Sequence, residues 1–504
     1  MSSTTHAPPQ PPTNPQVVIV GAGPVGLWLA HEIALAGVRT LVLERDEKRS
    51  PHSKALGIQP RTVEVLAMRG RHKDILAAGR PVPNWHFGML ESRIDFSSLP
   101  TPFPFLLAQP QSVTENLLER YATGQGAVVW RGHEVTSLTQ DPASVTVGGN
   151  GPDGAYEVSA PYVVGTDGAR STVRRAAGID FPRTDTSAYG FLGEVILDEP
   201  PQTPGFAALT DAGRLIVVPL PDRRYRVTGY DPANQRRDVP LTLEELRRAS
   251  LRIAGTDFGM REPSWLTRFG NATKLAATYR DRRVLLAGDA AHIHFPAGGV
   301  GLNVGLQDAM NLGWKLAAVI QGRAHPHLLD TYHAERHPVG AELAEHTMAQ
   351  TALITGLTPE VSALRSLLNQ AVAGEPAFAR MLAGKLSGLD TVYRPADPGA
   401  HPLTGSRAHD PEGEGILALL HDGRAVLLTM GEPAHAEVGE RAAAAGISVH
   451  HSRLAHTGGP AWSGVSAALI RPDGRVWWAT EEPASGAEFV AEVVNALDRL
   501  PATF

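Results

Sequence analysis

The sequence predicts an α/β fold built from more than one domain, and three observations carry that reading. Two short apolar runs each lead through a glycine-rich turn into a helical pattern: VVIV-GAGPVG at residues 17–26 and VLLA-GDAAHIHFPAGGVG at residues 284–301. Between them, residues 127–164 and 179–275 hold strand-like runs of the antiparallel kind. The length, 504 residues, exceeds what one core organises, so two or three domains are expected.

Composition narrows the function classes. Apolar residues make up 42% and charged residues 19% of the chain, ordinary values for a soluble globular protein. A net charge of -6 gives no basic surface for nucleic acid or anionic membrane, and neither partner is expected. There is no cysteine, which excludes disulfides, thiolate zinc sites, cysteine-ligated iron–sulfur clusters and cysteine nucleophiles. No apolar run is long enough to span a bilayer. Residues 1–15 carry five prolines and lack the basic start and apolar centre of a signal peptide. They read as a disordered, polyproline-like tail, and a cytoplasmic location is expected.

The first unit is strand 17–20, the GAGPVG turn, a helix ending at Gly37, and strand 40–43 with Glu44-Arg45 at its tip. This is the dinucleotide-binding βαβ pattern. Gly21 makes the tight turn, Gly23 admits the pyrophosphate, and Gly26 lets helix and strand pack closely. Glu44 stands where an acid accepts hydrogen bonds from the adenosine ribose. A helix is expected from near Pro60. Lys54 and Arg61 are cations that either meet a phosphate or sit solvated at the surface. Residues 80–110 read as irregular strands or loops rich in aromatics, among them Phe87 and Phe96. Ser112 and Glu115 form a capping-box pattern at the next helix start, beside Gln111.

The strand ending at Val164 runs into GTDGARSTVRRAAG. Asp167 tips it, and Arg170 and Arg174 are spaced as neighbours on a helix face, solvated or functional. Residues 179–275 read as a separate antiparallel layer, with strands at 189–197, 214–219 and 224–230 and a helix at 241–253. Residues 282–321 then give strand, Gly288-Asp289, a Pro/Gly loop and a helix with apolar residues at Leu302, Leu306, Ala309, Leu312, Leu316 and Ile320. Unpaired amides and the helix dipole at that start suit a ligand that becomes an anion during its chemistry. His292 and His294 have no evident third ligand, so no metal site is expected. Helices follow to residue 389, a Pro/Gly-rich linker covers 395–413, and a small α/β unit closes the chain.

GAGPVG with Glu44-Arg45, GTDGARSTVR and LLAGDAAHIHFPAGGVGLNVGLQDAMNLGWKLA, with DTYHAERHP after them, resemble the class A FAD-dependent aromatic hydroxylases of the para-hydroxybenzoate hydroxylase fold. Within that family the chain is most similar to actinobacterial polyketide hydroxylases and to rifampicin monooxygenases. The resemblance implies a Rossmann-like FAD-binding domain from residues 16–178 and 276–394, with 80–110 contributing to the substrate site. It implies an inserted antiparallel-sheet substrate domain at 179–275 and a thioredoxin-like C-terminal domain at 395–504.

It also implies FAD as cofactor, NADPH or NADH as co-substrate, and O2. Gly21, Gly23, Pro24, Val25 and Gly26 would hold the pyrophosphate, Glu44 the ribose, and Arg45 would lie by the adenosine. Lys54 would stand near the phosphates and the nicotinamide path, and Gln111 by the ribityl or flavin region. Asp167 would belong to a motif linked to both nucleotides, and Asp289 would bind the ribityl chain. Pro296 would lie by the isoalloxazine ring, and Gly299, Val300, Gly301, Leu302 and Asn303 would offer groups to it. Two residues depart from the family pattern: Val300 replaces the usual Gln of GGQG, and Phe295 stands where Pro or Leu is common.

The implied reaction is hydroxylation of a phenolic, polyketide-like small molecule through a flavin C4a-hydroperoxide. Phe87, Phe96, Tyr230 and Phe295 are the candidate substrate walls. No catalytic acid or base is identified by the sequence. Two rivals are a Baeyer–Villiger oxygenase on the same scaffold and a flavin-binding protein without turnover, the latter suggested by Val300. A monomer or homodimer is expected.

Overall fold

In the computed structural model, which describes residues 14–236, 239–395, 397–408, 415–430, 436–452, 462–481 and 487–498, a parallel sheet positions everything else. Its strands are β1 (Val17–Val20), β2 (Thr40–Glu44), β3 (Val128–Arg131), β4 (Tyr162–Gly165) and β5 (Val284–Leu286). They pair in parallel in the order β3-β2-β1-β4-β5. Arg280–Asp281 adds an antiparallel edge to β5. The strand order reverses between β1 and β4, and the carboxyl ends of strands at such a switch point open a ligand crevice. All four residues of VVIV are buried, because a parallel sheet covered on both faces has no polar side. The tail expected over residues 1–15 lies almost wholly outside the described residues.

Five helices matter here: α1 (Pro24–Leu35), α2 (Pro60–Ala67), α3 (Gln111–Gly124), α4 (Gly301–Ile320) and α5 (Asp330–Thr355). α1 packs against both α3 and α4 and is buried from Gly26 to Ala34. That burial includes Glu32, whose carboxylate is neutralised by Arg69 at 2.8 Å. Helix α3 starts two residues earlier than the capping-box pattern predicts, and no side chain caps it. Ser112 lies inside the helix instead, with its amide on Ser53 Oγ at 3.1 Å.

Residues 134–140, 145–151 and 154–160 form the expected antiparallel meander between β3 and β4. A second antiparallel sheet has the order 206–210, 213–219, 225–230, 189–197, 260–270. Its strands at the two edges, 206–210 and 260–270, were not legible in the sequence. The latter holds Pro263, three charged residues and a register shift opposite 194–196, which together hide its period. Side chains alternate across this sheet. Leu215 and Val217 face the helix Leu243–Ala254, which a Thr242–Glu245 capping box starts. Leu209, Ile216 and Phe269 face the other way, toward Phe295.

The C-terminal unit is a four-stranded sheet in the order 448–452, 426–430, 467–470, 476–480, with helices at 436–444 and 487–498. No helix among the described residues is long and apolar enough to cross a membrane.

Candidate functional site

The site is assembled where the glycine turn after β1, the Asp167 loop after β4 and the Gly288 loop after β5 meet. Gly21 has φ +107°, a left-handed backbone, and a Cβ there would stand 2.6 Å from the Thr166 carbonyl oxygen. A Cβ on Gly26 would lie 2.0 Å from the Gly21 oxygen, so turn and helix touch. Around Gly23 nothing lies within 4 Å of the Cβ position, so the front of α1 is open. Pro24 occupies the first helical turn, where its missing N–H costs nothing, and no side chain caps the helix. Val25 wedges inward, 2.9 Å from the Cβ position of Gly288 and 2.6 Å from that of Gly305 on α4. That contact ties two motifs more than 260 residues apart in the sequence.

Glu44, half-buried at the tip of β2, accepts from the amides of Ala22 at 2.8 Å and Asp46 at 3.0 Å. Its carboxylate is thereby held beside the glycine turn. Arg45 and Lys54 are both exposed. Asp167 Oδ2 accepts from the amides of Thr172 at 2.6 Å and Val173 at 3.2 Å, while its buried Oδ1 has no partner among the described residues. Asp289 is exposed between buried Gly288 and Ala290. Arg174, left open as a solvated helix face, is 5% exposed; it donates to the Ala290 carbonyl at 2.9 Å and lies 3.8 Å over the Phe181 ring. Arg170 remains exposed.

Two expected ligand contacts are engaged by protein instead. Gln111 accepts from the Ala55 amide at 3.1 Å and donates to Glu115 at 2.7 Å, so its amide holds the 53–55 loop. The Asn303 side chain is buried, accepts from the Gln59 amide at 2.7 Å and donates to the carbonyls of Gly299 at 3.0 Å and Gly57 at 3.2 Å. What α4 still offers is its backbone. The first amide of its ladder is Val304 N on Val300 O at 3.0 Å, which leaves the amides of Gly301, Leu302 and Asn303 ahead of it. The first turn holds no acid, and Gly299 faces open space. Exposed Pro296 lies just before it.

The substrate-wall expectations divide. Phe295 packs with Met89, Ala297 and Ile354 against Leu209, Ile216 and Phe269 of the antiparallel sheet, its ring centroid 5.4 Å from that of Phe269. Phe96 is fully buried and Phe87 nearly so, in a different apolar cluster, and they are core rather than wall. Tyr230 is half-buried, pairs with Gly190 and Arg214 within the sheet and is not part of the Phe295 cluster. Val300 belongs to the cluster of Phe87 and Phe96 and is 3% exposed. An apolar residue suits that environment, and its identity follows from packing.

Several supporting residues had no sequence signal strong enough to single them out. Gln59 and Trp85 both donate to the Gly298 carbonyl, at 3.3 and 3.1 Å, and pin the loop before α4. Asp308, fully buried on α4, accepts from the Gly288 amide at 3.1 Å, binds His292 Nε2 at 2.7 Å and takes Arg336 Nε at 2.7 Å. His292 thus serves the fold of the Gly288 loop. His294 Nδ1 meets the Phe295 carbonyl at 2.7 Å; a carbonyl only accepts, so Nδ1 carries the proton. Burial holds the pKa of His294 below its ordinary value, which keeps the ring neutral. Its Nε2 then presents a lone pair 2.9 Å from the Cβ position of Gly301.

These features fit a flavin dinucleotide. The open face of Gly23, the fixed Glu44 carboxylate, the unpartnered Asp167 Oδ1 and two uncapped helix starts supply room, ribose acceptor and anion donors in one crevice. Among the described residues no group of three or more His, Cys, Asp or Glu is arranged to hold a metal ion.

Comparison with known proteins agrees. The model of the FAD binding domain matches residues 14–347, and that of the C-terminal part of aromatic-ring hydroxylases matches residues 401–500. An uncharacterized aromatic compound monooxygenase of Bacillus subtilis is 46% identical over 93% of this chain and 95% of its own length. An anhydrotetracycline monooxygenase of Streptomyces rimosus is 42% identical over 95% of this chain and 98% of its own. Among solved structures, an anhydrotetracycline hydroxylase of Streptomyces rimosus superposes with a TM-score of 0.87 at 41% identity, covering 97% of this chain and 99% of that one.

Proposed function

The chain belongs to the FAD-dependent aromatic-ring hydroxylases, and from that premise we propose that it uses NADPH or NADH and O2 to hydroxylate a phenolic, polyketide-like small molecule. The observation that carries the substrate class is the apolar wall of Phe295, Phe269, Leu209, Ile216, Met89 and Ile354, set beside the open start of α4. Relatives named for anhydrotetracycline support a substrate of that kind.

FAD, when bound and reduced, supplies the chemistry that activates O2 for insertion of one oxygen atom into the ring. The rest falls to this chain's residues. Gly21, Gly23, Pro24, Val25 and Gly26 with Glu44 and Arg45 would hold the adenosine diphosphate half, Lys54 and Asp167 would flank it, and Gln111 would lie by the ribityl or flavin region. Asp289, Pro296, Gly299, Val300, Gly301, Leu302 and Asn303 would hold the flavin half, the last three through backbone amides that favour negative charge. The aromatic wall orients the substrate ring and keeps out water, which would otherwise divert the activated oxygen to peroxide. The domain division proposed with this reading is the one expected from the sequence: FAD-binding segments 16–178 and 276–394, a substrate layer at 179–275 and a thioredoxin-like unit at 395–504. With no cysteine in the chain, a thioredoxin-like shape in that last unit would not imply thiol redox chemistry.

The test is a visible spectrum of the purified chain, anaerobic titration with NADPH and NADH, then turnover with polyphenols under 18O2. Flavin bands that bleach with either nucleotide, and a product carrying one labelled ring hydroxyl, are expected. Label in an inserted ester oxygen would replace this reading with a Baeyer–Villiger one, and failure to take up FAD would remove it.

A further inference from the structure

The last hairpin of the C-terminal unit carries its turn, Arg471-Pro472-Asp473-Gly474-Arg475, into the flavin-binding unit, and the charges buried there do not balance. Arg471 pairs with Glu335 at 2.7 Å and with Asp473 at 2.5 Å. Lys315 shares Glu335 at 2.8 Å, Arg336 takes Asp308 at 2.7 Å, and Arg61 takes Glu64 at 2.8 Å. Glu64 is also claimed by Arg407 at 2.7 Å. That leaves Arg475. It is 2% exposed, and its guanidinium donates to the Thr391 carbonyl and lies 4.6 Å over the Tyr393 ring. No carboxylate among the described residues is within ion-pair reach of it. Asp390, whose field reaches Arg475, is itself exposed. In this network six cations (Arg61, Lys315, Arg336, Arg407, Arg471, Arg475) face four carboxylates (Glu64, Asp308, Glu335, Asp473), and Arg475 is the cation with no carboxylate of its own. Burial pushes the Arg475 pKa down to about 10; Arg61 and Arg336 add repulsion, and Tyr393 and Asp473 offset only part of it. A buried charge without a counter-charge is strongly unfavourable.

Arg475 opens on a small cavity lined also by Arg61, Gln307, Asn311, Tyr393 and Asp473. The cavity presents donors. Arg61 Nε is buried and has no hydrogen-bond partner among the described residues. Gln307, 5% exposed, makes no side-chain hydrogen bond to any described residue. The lining carboxylate, Asp473, is already held by Arg471 and Asn311. There is space for one small ion and not for a phosphate or a carboxylic acid.

We propose that this cavity binds one small monovalent anion, chloride, which neutralises Arg475 and joins the C-terminal turn to α2 and α4. The anion is a structural element of the junction, separate from the flavin crevice and independent of the reading of its chemistry.

The experiment uses the full-length, FAD-loaded chain. Crystals grown in sodium bromide should give an anomalous peak within hydrogen-bond distance of Arg475 and Gln307. In solution, chloride at fixed ionic strength should raise the thermal midpoint over gluconate by at least about 2 °C. That rise should vanish in Arg475→Met and in Gln307→Leu. The second variant leaves every ion pair intact and answers the question if the first does not fold. A cavity without bromide, or a chloride effect unchanged in the variants, overturns the proposal.

Discussion

At the residue scale, the three glycines of GAGPVG do different jobs, and substitution separates them. Gly23 faces open space, whereas a Cβ on Gly26 would stand only 2.0 Å from the Gly21 carbonyl oxygen and has no room. Gly23→Ala should leave the flavin-free protein as stable as the parent and raise the FAD dissociation constant about tenfold or more, a loss of about 1.4 kcal/mol. Gly26→Ala should instead destabilise the fold by about 1–3 kcal/mol through overpacking. Fluorescence titration of FAD and urea unfolding of the flavin-free protein would distinguish the two; equal effects on both readouts would contradict the assignment. The sequence pattern named all three glycines, but only their neighbours reveal which acts on the ligand. Val300 teaches the reverse. Its sequence position suggested a lost polar contact with the flavin, yet its side chain lies in an apolar cluster with Phe87 and Phe96. The reading without turnover thereby loses the feature that prompted it.

At the element scale, α4 and α5 are joined by charge. Asp308 of α4 fixes the Gly288 amide and Arg336 of α5, and Glu335 of α5 holds Lys315 of α4. Burial alone would raise the Asp308 pKa, but Arg336 and His292 outweigh it and hold it below its ordinary value of 3.8. Burial of Glu335 is likewise outweighed by Arg471 and Lys315, which hold it below 4.5. For a carboxylate with a depressed folded pKa, the unfolded chain binds the proton first. The stability these two contribute is therefore complete above their ordinary values and is lost as the pH falls below them. Urea midpoints measured from pH 7 to 3 should fall steeply below about pH 4.5. Asp308→Asn should cost about 3–5 kcal/mol at pH 7, because it strands a buried Arg336, and should flatten that slope. A parent and variant with parallel pH profiles would remove Asp308 from this role.

At the scale of the whole molecule, the C-terminal unit is built into the flavin-binding unit. Arg471 meets Glu335, Arg61 donates to the Asp473 carbonyl at 2.9 Å and Arg69 to the Pro472 carbonyl at 3.0 Å. Arg471→Met removes the arginine that Glu335 and Asp473 share, leaves Asp473 without a cation and should destabilise the chain by about 3–5 kcal/mol. It should do so in a single unfolding transition, with flavin release at the same midpoint. A separate early transition of the C-terminal unit, with flavin still bound, would mean that the two units unfold independently.

The sequence alone determined the nucleotide-binding half. Its strands are short apolar runs ending in glycines, and a local backbone requirement of that kind is written in consecutive residues. Gly21, Gly26, Glu44 and the start of α4 were legible for this reason. The antiparallel edge strand 260–270 was not, because exposure on one side and a register shift erase its alternation. Nor were the partners of buried groups legible: Gln59 to Asn303, Asp308 to Arg336, Arg471 to Glu335 and Phe269 to Phe295 lie 26 to 244 residues apart. Only tertiary structure decided those pairs. A buried charge or ring must find its complement in space, and the energy of that match depends on distance and desolvation, which no run of neighbouring residues encodes.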